Sequence, residues 1–540
     1  MTVTMTTTSV DDFSNSYLPV RQVVLLFSTV LVVSIIYSIA ICFYRLYLHP
    51  LAKIPGPFYA KVTHLYSFFY NFWCRGKFYI KIEELHNIYG PIIRITPDEI
   101  HLSDPENYDE IYRIGSKYSK SPPFYHAFGT DKATFTMASN AAHRVKRAAL
   151  NPFFSRKRVL ELEEVVQQKA TKLEARIRSA LSEQGYIDLH HGFRAISVDV
   201  ITDYAFDNCY SFLDQSDFGV DFFNMIRDFG PGFWFFQQFP VLQPLAFGLP
   251  FWLVKMIDGP LKRMMMLHNS SRRQILRVKS DIDVDKRSQR AKERPTIFHQ
   301  LLSPDAAQNY VVPTVDELKD EAYIILAAAA DTTGNAMTVA TYNTVLNPEI
   351  YSTLTAELRE AFPDASAHLD FITLEKLPYL LTLWKTAVIK EALRLSYGVI
   401  GRLPRVVPDS AAEFHGYHIP SGTLVSMSSW TMHHNEDIFP DSGNFDPSRW
   451  LGQSAAVRKA EHNLVAFGKG SRQCVGMPLA YCELYVTLGR LFRHFDNLST
   501  DRKPREDLYY NDYFSSYHSE ENNKFIFRQA QSIRIRSNDF

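Results

Sequence analysis

Hydrophobic and polar positions fall into distinct regimes along the chain. The first is an uncharged apolar run over residues 23–44, VVLLFSTVLVVSIIYSIAICFY. At 1.5 Å rise per residue, about 20 such residues cross a hydrocarbon core of about 30 Å. A cleaved signal peptide wants a shorter apolar region followed by small residues. Here Phe43-Tyr44-Arg45-Leu46-Tyr47 follows, so the run reads as a membrane anchor. Arg21 alone flanks it on the N-terminal side, near Asp11 and Asp12, whereas Arg45, Lys53 and Lys61 follow it. That asymmetry predicts a single-pass topology with the bulk of the chain in the cytosol, and leaves the sequons at Asn269 and Asn497 unglycosylated. Next comes Ile54-Pro55-Gly56-Pro57, which reads either as a stiff elbow or as an ordinary loop.

Beyond this hinge the period changes repeatedly. Pro91-Ile-Ile-Arg-Ile and Glu99-Ile-His-Leu are short β-branched runs bounded by Gly90, Pro91 and Pro97, predicting a small sheet within 85–111. Leu162, Val166, Ala170, Leu173, Ile177 and Leu181 recur at three- and four-residue steps, an amphipathic helix. Thr314-Val-Asp-Glu317 after Pro313 reads as a capping box opening a helix apolar on nearly all sides over 322–330, hence buried. Leu377-Pro378 precedes a helix from 379 to about 395. Short strands with turns return over 403–425, and a last helix runs from about 477 to 495. The predicted organisation is a short lumenal segment over 1–22, the anchor over 23–44, a proline-rich hinge over 45–57 and one body over 58–540. The fold class is mainly α with a minor β-sheet component.

Composition adds exclusions. With 540 residues, 46% hydrophobic, the chain buries a large core; 58 basic and 58 acidic residues give no net field to attract nucleic acid. Five cysteines, irregularly spaced and without a C-x-x-C pair, exclude a secreted disulfide framework, zinc ribbons and thioredoxin-type motifs.

One short stretch carries chemistry. Residues 467–476 read Phe-Gly-Lys-Gly-Ser-Arg-Gln-Cys-Val-Gly and fit F-x-x-G-x-R-x-C-x-G at every fixed position. At about 5–7% usage per residue type, such a match recurs by chance in roughly one window in a million. Gly470 and Gly476 permit tight turns and close approach to a flat macrocycle. Cys474 lies just before the last helix, whose N-terminal end stabilises a thiolate. Arg472 offers a fork of donors to a carboxylate, and Phe467 can pack on sulfur and ring. A thiolate on haem iron favours O–O cleavage.

On these residues the chain resembles the cytochrome P450 family of haem-thiolate monooxygenases, over essentially residues 55–540. The resemblance implies the family fold for the catalytic domain 58–540 and haem b (iron protoporphyrin IX) as cofactor. Cys474 is then the metal ligand, with Arg472 and Phe467 at the macrocycle. Glu391-Ala-Leu-Arg394 fits E-x-x-R; alone it is equally an ordinary i, i+3 surface ion pair. Followed by Phe445-Asp-Pro-Ser-Arg449-Trp, it is similar to the family's buried triad, here Glu391, Arg394 and Arg449. Ala328-Ala-Ala-Asp331-Thr332-Thr333 resembles the oxygen-activation segment, with Ala329 where glycine is usual. This makes Asp331 and Thr332 the catalytic pair, Asp331 relaying protons from solvent and Thr332 donating a hydrogen bond at the iron. A local side-chain to backbone bond is the alternative for these residues. His143-Arg-Val-Lys-Arg147 lies where the family carries W-x-x-x-R. Arg147 and His143 are therefore propionate partners by resemblance, against a solvated basic face, and Arg405 is another.

Other features read plainly. Adjacent His433 and His434 point to opposite sides and do not form a metal site. Cys482 is a small buried apolar residue, and Met264–Met266 are core or membrane-facing. The cluster Phe222, Phe223, Phe229, Phe233, Trp234, Phe235, Phe236 and Phe239 falls between predicted helices, in the family's substrate-roof and membrane-dipping region. Candidate pocket walls at 118–137, 222–239, 323–330, 399–403 and 513–514 are mostly apolar, which favours a hydrophobic small-molecule substrate. The chain has no G-x-G-x-x-G unit, flavin-like segment or iron–sulfur cysteine set, so electrons come from a partner. The resemblance names NADPH–cytochrome P450 reductase, with cytochrome b5 as a candidate second donor, at the endoplasmic reticulum membrane. Lys146, Arg144 and Lys469 are candidates for docking an acidic partner or form a solvated face. Phrases such as Gly401-Arg-Leu-Pro-Arg-Val-Val-Pro are similar to the fungal trichodiene-oxygenase-like group. The expected reaction is hydroxylation or epoxidation in secondary, terpenoid metabolism, with a polyketide or mixed natural product as alternative. An isomerase or dehydratase working without a reductase, and a non-catalytic haem binder, are the alternatives from other classes.

Overall fold

The apolar N-terminal run folds as one helix, α1 (Val20–Phe43), long and apolar enough to cross a membrane, with exposed side chains such as Phe27 and Leu31. The computed structural model describes residues 20–206, 208–256, 259–288, 296–303, 312–364, 366–376, 384–501, 510–519 and 524–530. The segment assigned to the lumen therefore lies outside the described residues up to residue 19, as does the start of the helix expected from 379.

The hinge is a docked elbow. Ile54 is buried, Arg94 N–H donates to Pro55 O at 2.7 Å, and a Cβ on Gly56 would fall 2.5 Å from Arg94 O. The Arg94 side chain is itself buried. It donates to Arg45 O at 2.8 Å and to Pro97 O at 2.6 Å, tying the foot of the anchor to the first strand.

The helical core is built from α2 (Asn140–Leu150), α3 (Arg156–Glu183), α4 (Leu189–Phe206), α5 (Gly230–Gln238), α6 (Pro260–Ser288), α7 (Val315–Leu346), α8 (Trp384–Ser396) and α9 (Met477–His494). The capping box forms as expected: Thr314 Oγ1 accepts from Glu317 N–H, and the Glu317 carboxylate accepts from Thr314 N–H at 2.9 Å. It starts α7, which is buried on nearly all sides and packs on α4, α6 and α8. The predicted apolar stripe of α3 is buried from Leu162 to Ile177 and lies against α9.

The minor sheet joins β1 (Ile92–Thr96), β2 (Glu99–Leu102), β3 (Ser119–Lys120), β4 (Arg405–Val406) and β5 (Leu424–Ser426), in the order β1-β2-β5-β4-β3. β2 and β5 run parallel; the other neighbours are antiparallel. A separate hairpin pairs β6 (Asn511–Tyr513) with β7 (Ser515–Tyr517).

The E-x-x-R pair is no surface bridge. Glu391 and Arg394 are both fully buried, with Arg394 Nε and Nη2 donating to the carboxylate at 2.9 and 2.7 Å. Arg449 Nε donates at 3.0 Å and Trp450 Nε1 at 2.9 Å, so Glu391 is saturated. Arg394 spends its remaining donors on the carbonyls of His433, Ser442 and Asn444. Removing one partner of such a buried pair costs about 3–5 kcal/mol.

Two expectations need correction. The aromatic segment does not fall between helices; it forms the helices Val220–Arg227 and α5. Its first members, Phe222 and Phe223, join the main core, whereas Phe229, Phe233, Trp234 and Phe236 make a separate aromatic cluster with Phe124 and Phe128. Met264 belongs to that cluster and lines the cavity described below, while Met266 is 43% exposed.

Candidate active site

The loop before α9 is folded by its own backbone. Cys474 N–H donates to Phe467 O at 2.9 Å, Gly468 N–H to Val465 O at 2.8 Å and Gln473 N–H to Gly470 O at 3.0 Å. Gly470 has φ 69°, and a Cβ there would sit 2.1 Å from Tyr112 O, so no larger residue fits. Gly476 departs from the expectation: its φ is −80°, ordinary for any residue, and it caps α9. The left-handed positions of the loop are Gly468 and Gly470.

Cys474 lines a cavity of about 360 Å³. Burial pushes its thiol above the usual range, while the N–H groups of Gly476 and Met477 and the charge of Arg147 pull it back. These last groups stabilise the thiolate, as the end of a helix does.

One side of the cavity is a wall of bases. Lys120, His143, Arg147, Arg405 and Arg472 all line it. Arg472 donates to Met137 O at 2.6 Å, Ala138 O at 2.9 Å and Asn140 Oδ1 at 2.9 Å. Arg147 donates to Gln473 O at 2.7 Å and Asn151 Oδ1 at 2.6 Å. Arg405 donates to the Tyr125 hydroxyl at 2.6 Å, and Lys120 to Phe135 O at 2.5 Å. Among the described residues, none of these four cations has a carboxylate ion pair. The acids on the same cavity are committed elsewhere, Glu321 to Thr134 N–H at 2.7 Å and Glu483 to the Ser197 hydroxyl at 2.8 Å. The wall is electrostatically frustrated. Burial, then the charges of Arg405, Arg472 and Arg147, hold Lys120 well below its ordinary value. Burial and neighbouring cations bring Arg472 to about 10 and His143 to about 3. Such a wall calls for a ligand bearing more than one negative charge.

The opposite face is apolar. Phe128, Phe229 and Phe514 close it with Ile324, Ala328 and Ala329 of α7, and Phe135, which meets Lys120, lies where this face joins the basic wall. Phe514 meets Phe128 at 5.0 Å and Phe135 at 5.4 Å between ring centroids, both edge-on. Thr332 lines the cavity and donates its hydroxyl to Ala328 O at 2.9 Å. Asp331 is 4% exposed and ion-pairs with Arg194, which stacks on Phe223 at 4.1 Å. Burial raises the Asp331 carboxyl, against the charge of Arg194 and the hydroxyl of Tyr517; Tyr517 in turn lines the cavity.

The sequence-predicted site residues Cys474, Arg472, Phe467, Arg405, Arg147, His143 and Thr332 thus surround one cavity, and Asp331 stands behind its wall. Lys120 was missed; a single lysine in a two-residue strand carries no motif. The rings of His433 and His434 are engaged in hydrogen bonds. His433 accepts from Val465 N–H at 3.0 Å and donates Nδ1–H to Arg394 O at 2.8 Å, while His434 meets the Tyr397 hydroxyl at 2.7 Å. Cys482 is buried, as expected. Lys146 and Lys469 are tied to Glu317 and Asp109 at 2.9 and 2.8 Å, which leaves Arg144 as the exposed member of the proposed docking set.

A cysteine loop facing a cavity, with cations that lack carboxylate partners among the described residues on one side and an apolar face on the other, fits an iron porphyrin with its two propionates. This defines the class: a haem-thiolate protein. Comparison with known proteins agrees. The Cytochrome P450 family pattern matches residues 60–519. Cytochrome P450 monooxygenase MO6277 of Ascocoryne sarcoides is 36% identical over 89% of this chain and 93% of its own length. The fusicoccadiene C-8 hydroxylase of Alternaria brassicicola is 32% identical, covering 90% and 91%. The tryptophan 6-hydroxylase fscE of Fusarium equiseti is 34% identical, covering 88% and 91%. The chain belongs to the cytochrome P450 family and is a haem-binding monooxygenase.

Proposed function

We propose that this monooxygenase hydroxylates or epoxidises a compact, uncharged hydrocarbon-rich molecule, most simply a terpenoid, in secondary metabolism. The observation that carries this reading is the aromatic face above α7. Phe128, Phe229 and Phe514 offer packing surface, and Arg263, which also lines the cavity, is engaged by Asp228. An amino acid, the substrate named for one relative, would place an ammonium and a carboxylate against these aromatic rings. The name of another relative, a fusicoccadiene hydroxylase, fits the apolar reading.

Bound haem supplies reductive activation of O2 and insertion of one oxygen atom into a C–H or C=C bond, the other oxygen leaving as water. The chain's own residues set the conditions. Cys474 would provide the thiolate, while Arg147, Arg405, Arg472, Lys120 and His143 would hold the propionates. Thr332 offers a hydroxyl at the cavity wall, and Asp331 reaches the same region through Tyr517. The Arg194 guanidinium opposes the upward pull of burial on the Asp331 carboxyl, and a carboxyl so placed is the group that would pass a proton toward the cavity. Electrons come from an NADPH–cytochrome P450 reductase, with cytochrome b5 as a second donor. The anchor holds the body on the cytosolic side of the endoplasmic reticulum.

Deleting the gene should accumulate the precursor. Microsomes carrying the protein and a reductase should oxidise that precursor only with both NADPH and O2. Turnover lacking either requirement would establish the isomerase or dehydratase reading instead. Cys474→Ala should remove the red-shifted reduced-CO band that marks thiolate ligation; its survival refutes the ligand assignment.

A further inference from the structure

Between β6 and β7 the chain makes a turn that its backbone resists. Phe514 has φ 73°, in the left-handed region that a bulky aromatic residue rarely adopts. Such strain persists only where the surroundings over-determine it, and here they do. The Asp512 carboxylate accepts from Phe514 N–H at 3.0 Å, closing the turn from within. Asp512 is 3% exposed, so this bond has little competition from water. Its backbone is pinned on both sides: Asp512 N–H donates to Gly76 O at 3.1 Å, and Trp234 Nε1 donates to Asp512 O at 2.6 Å.

Three glycines make room for the turn. A Cβ on Gly76 would fall 2.4 Å from Asp512 O, one on Gly401 would fall 2.0 Å from Asp512 Oδ2, and one on Gly230 would fall 2.0 Å from the Tyr513 ring. The chain therefore gives up side chains at three separate places to seat one carboxylate and its turn. What the turn delivers is the Phe514 ring, which lines the cavity amid Phe124, Phe128, Phe135 and Phe233 with centroids at 5.0–6.4 Å.

We infer that Asp512 is a positioning residue for the oxidation, holding Phe514 in its strained turn so that the ring sets how an apolar substrate lies over the reacting centre. Asp512 itself does not touch the substrate. The inference rests on the proposed function for the word substrate, but the geometry it asserts concerns any ligand that reaches from the iron to the roof.

The test separates the two. Purified holoprotein is titrated with imidazole, which is too small to span the cavity, and with 4-phenylimidazole, whose phenyl group extends toward the roof. Nitrogen ligation is read as a difference spectrum. Asp512→Ala and Phe514→Ala should each weaken 4-phenylimidazole by about three- to tenfold, the size of one aromatic contact. Imidazole affinity should be unchanged. The double variant should be no weaker than either single one, and Asp512→Asn, which keeps an acceptor oxygen, should stay within about twofold of the parent. Unchanged 4-phenylimidazole affinity in Asp512→Ala overturns the inference, as does an equal loss for both ligands or strictly additive losses. If Asp512→Ala does not load haem, Asp512→Ser is read by the same criteria. Failure of NADPH-dependent turnover would remove the proposed function and leave these affinities standing.

Discussion

Lys120 has the least reason of any residue in the site to be buried. It is 4% exposed, its ammonium lies 3.8 Å from the Phe135 ring centroid and 4.1 Å from that of Tyr125, and three guanidiniums lower its pKa further. A buried cation without an anion costs several kcal/mol unless something compensates it. The propionates are that compensation, so the lysine should trade apoprotein stability for haem retention. Lys120→Met keeps the length and the ring contacts and removes the charge. The apoprotein should then melt higher, while haem leaves the holoprotein faster by about ten- to a hundredfold, the value of one charge-assisted hydrogen bond. Thermal melts of the apoprotein and transfer of haem to apomyoglobin measure the two halves. A merely structural lysine would lower both.

At the scale of elements, the question is how the thiolate loop is tied to the rest of the core. The link runs from α8 through Arg394 O to His433 and on to Val465 N–H, two residues before Phe467. His433 must stay neutral, since Nε2 has to accept. Burial, then the charge of Arg394, brings its pKa to about 3. The unfolded chain binds a proton here below about pH 6.5 and the folded chain does not. Stability from this group is therefore complete above about pH 6.5 and falls by about 1.4 kcal/mol per pH unit below it. His433→Gln, which can both accept and donate without titrating, should flatten the fall of the melting temperature between neutrality and about pH 5. An unchanged slope would remove His433 from the acid response. None of this linkage was legible in the sequence, where His433-His434 offered only two adjacent rings pointing apart. What was legible is short-range: the Cys474 loop, the Thr314–Glu317 box, the Glu391–Arg394 pair and the apolar stripe of α3 each lie within a few turns of chain. Lys120, the Arg194–Asp331 pair and the contacts of Asp512 with Gly76 and Trp234 join residues far apart in sequence, and no spacing reports them. The aromatic helix α5 was hidden because Gly230-Pro231-Gly232 reads as a turn, yet burial of Phe233 and Trp234 overrides that propensity.

For the whole molecule, the anchor is one of two apolar features that bear on the membrane. Tyr59, Leu65, Phe69 and Trp73 are 50–67% exposed, and Val241, Leu245, Trp252 and Met256 are 66–76% exposed. The two sets belong to one surface: Phe68 meets Phe239 at 5.5 Å and Phe72 meets Phe235 at 6.4 Å between centroids. The foot of the anchor reaches the same side, since Arg45 donates to Val62 O at 2.5 Å. Large exposed aromatic and aliphatic residues in a contiguous patch mark a surface meant to be covered. Here the anchor's position makes lipid the cover, with Trp and Tyr suited to the interface. Deleting residues 1–44 should therefore give a haem-loaded protein that still floats with neutral phosphatidylcholine vesicles at high salt, where electrostatic attraction is screened. Adding Trp73→Ser, Leu245→Ser and Trp252→Ser to the deletion should leave it in the soluble fraction. Release by the deletion alone would show that the anchor carries the whole attachment, and that an apolar substrate must reach the cavity from water rather than from the bilayer.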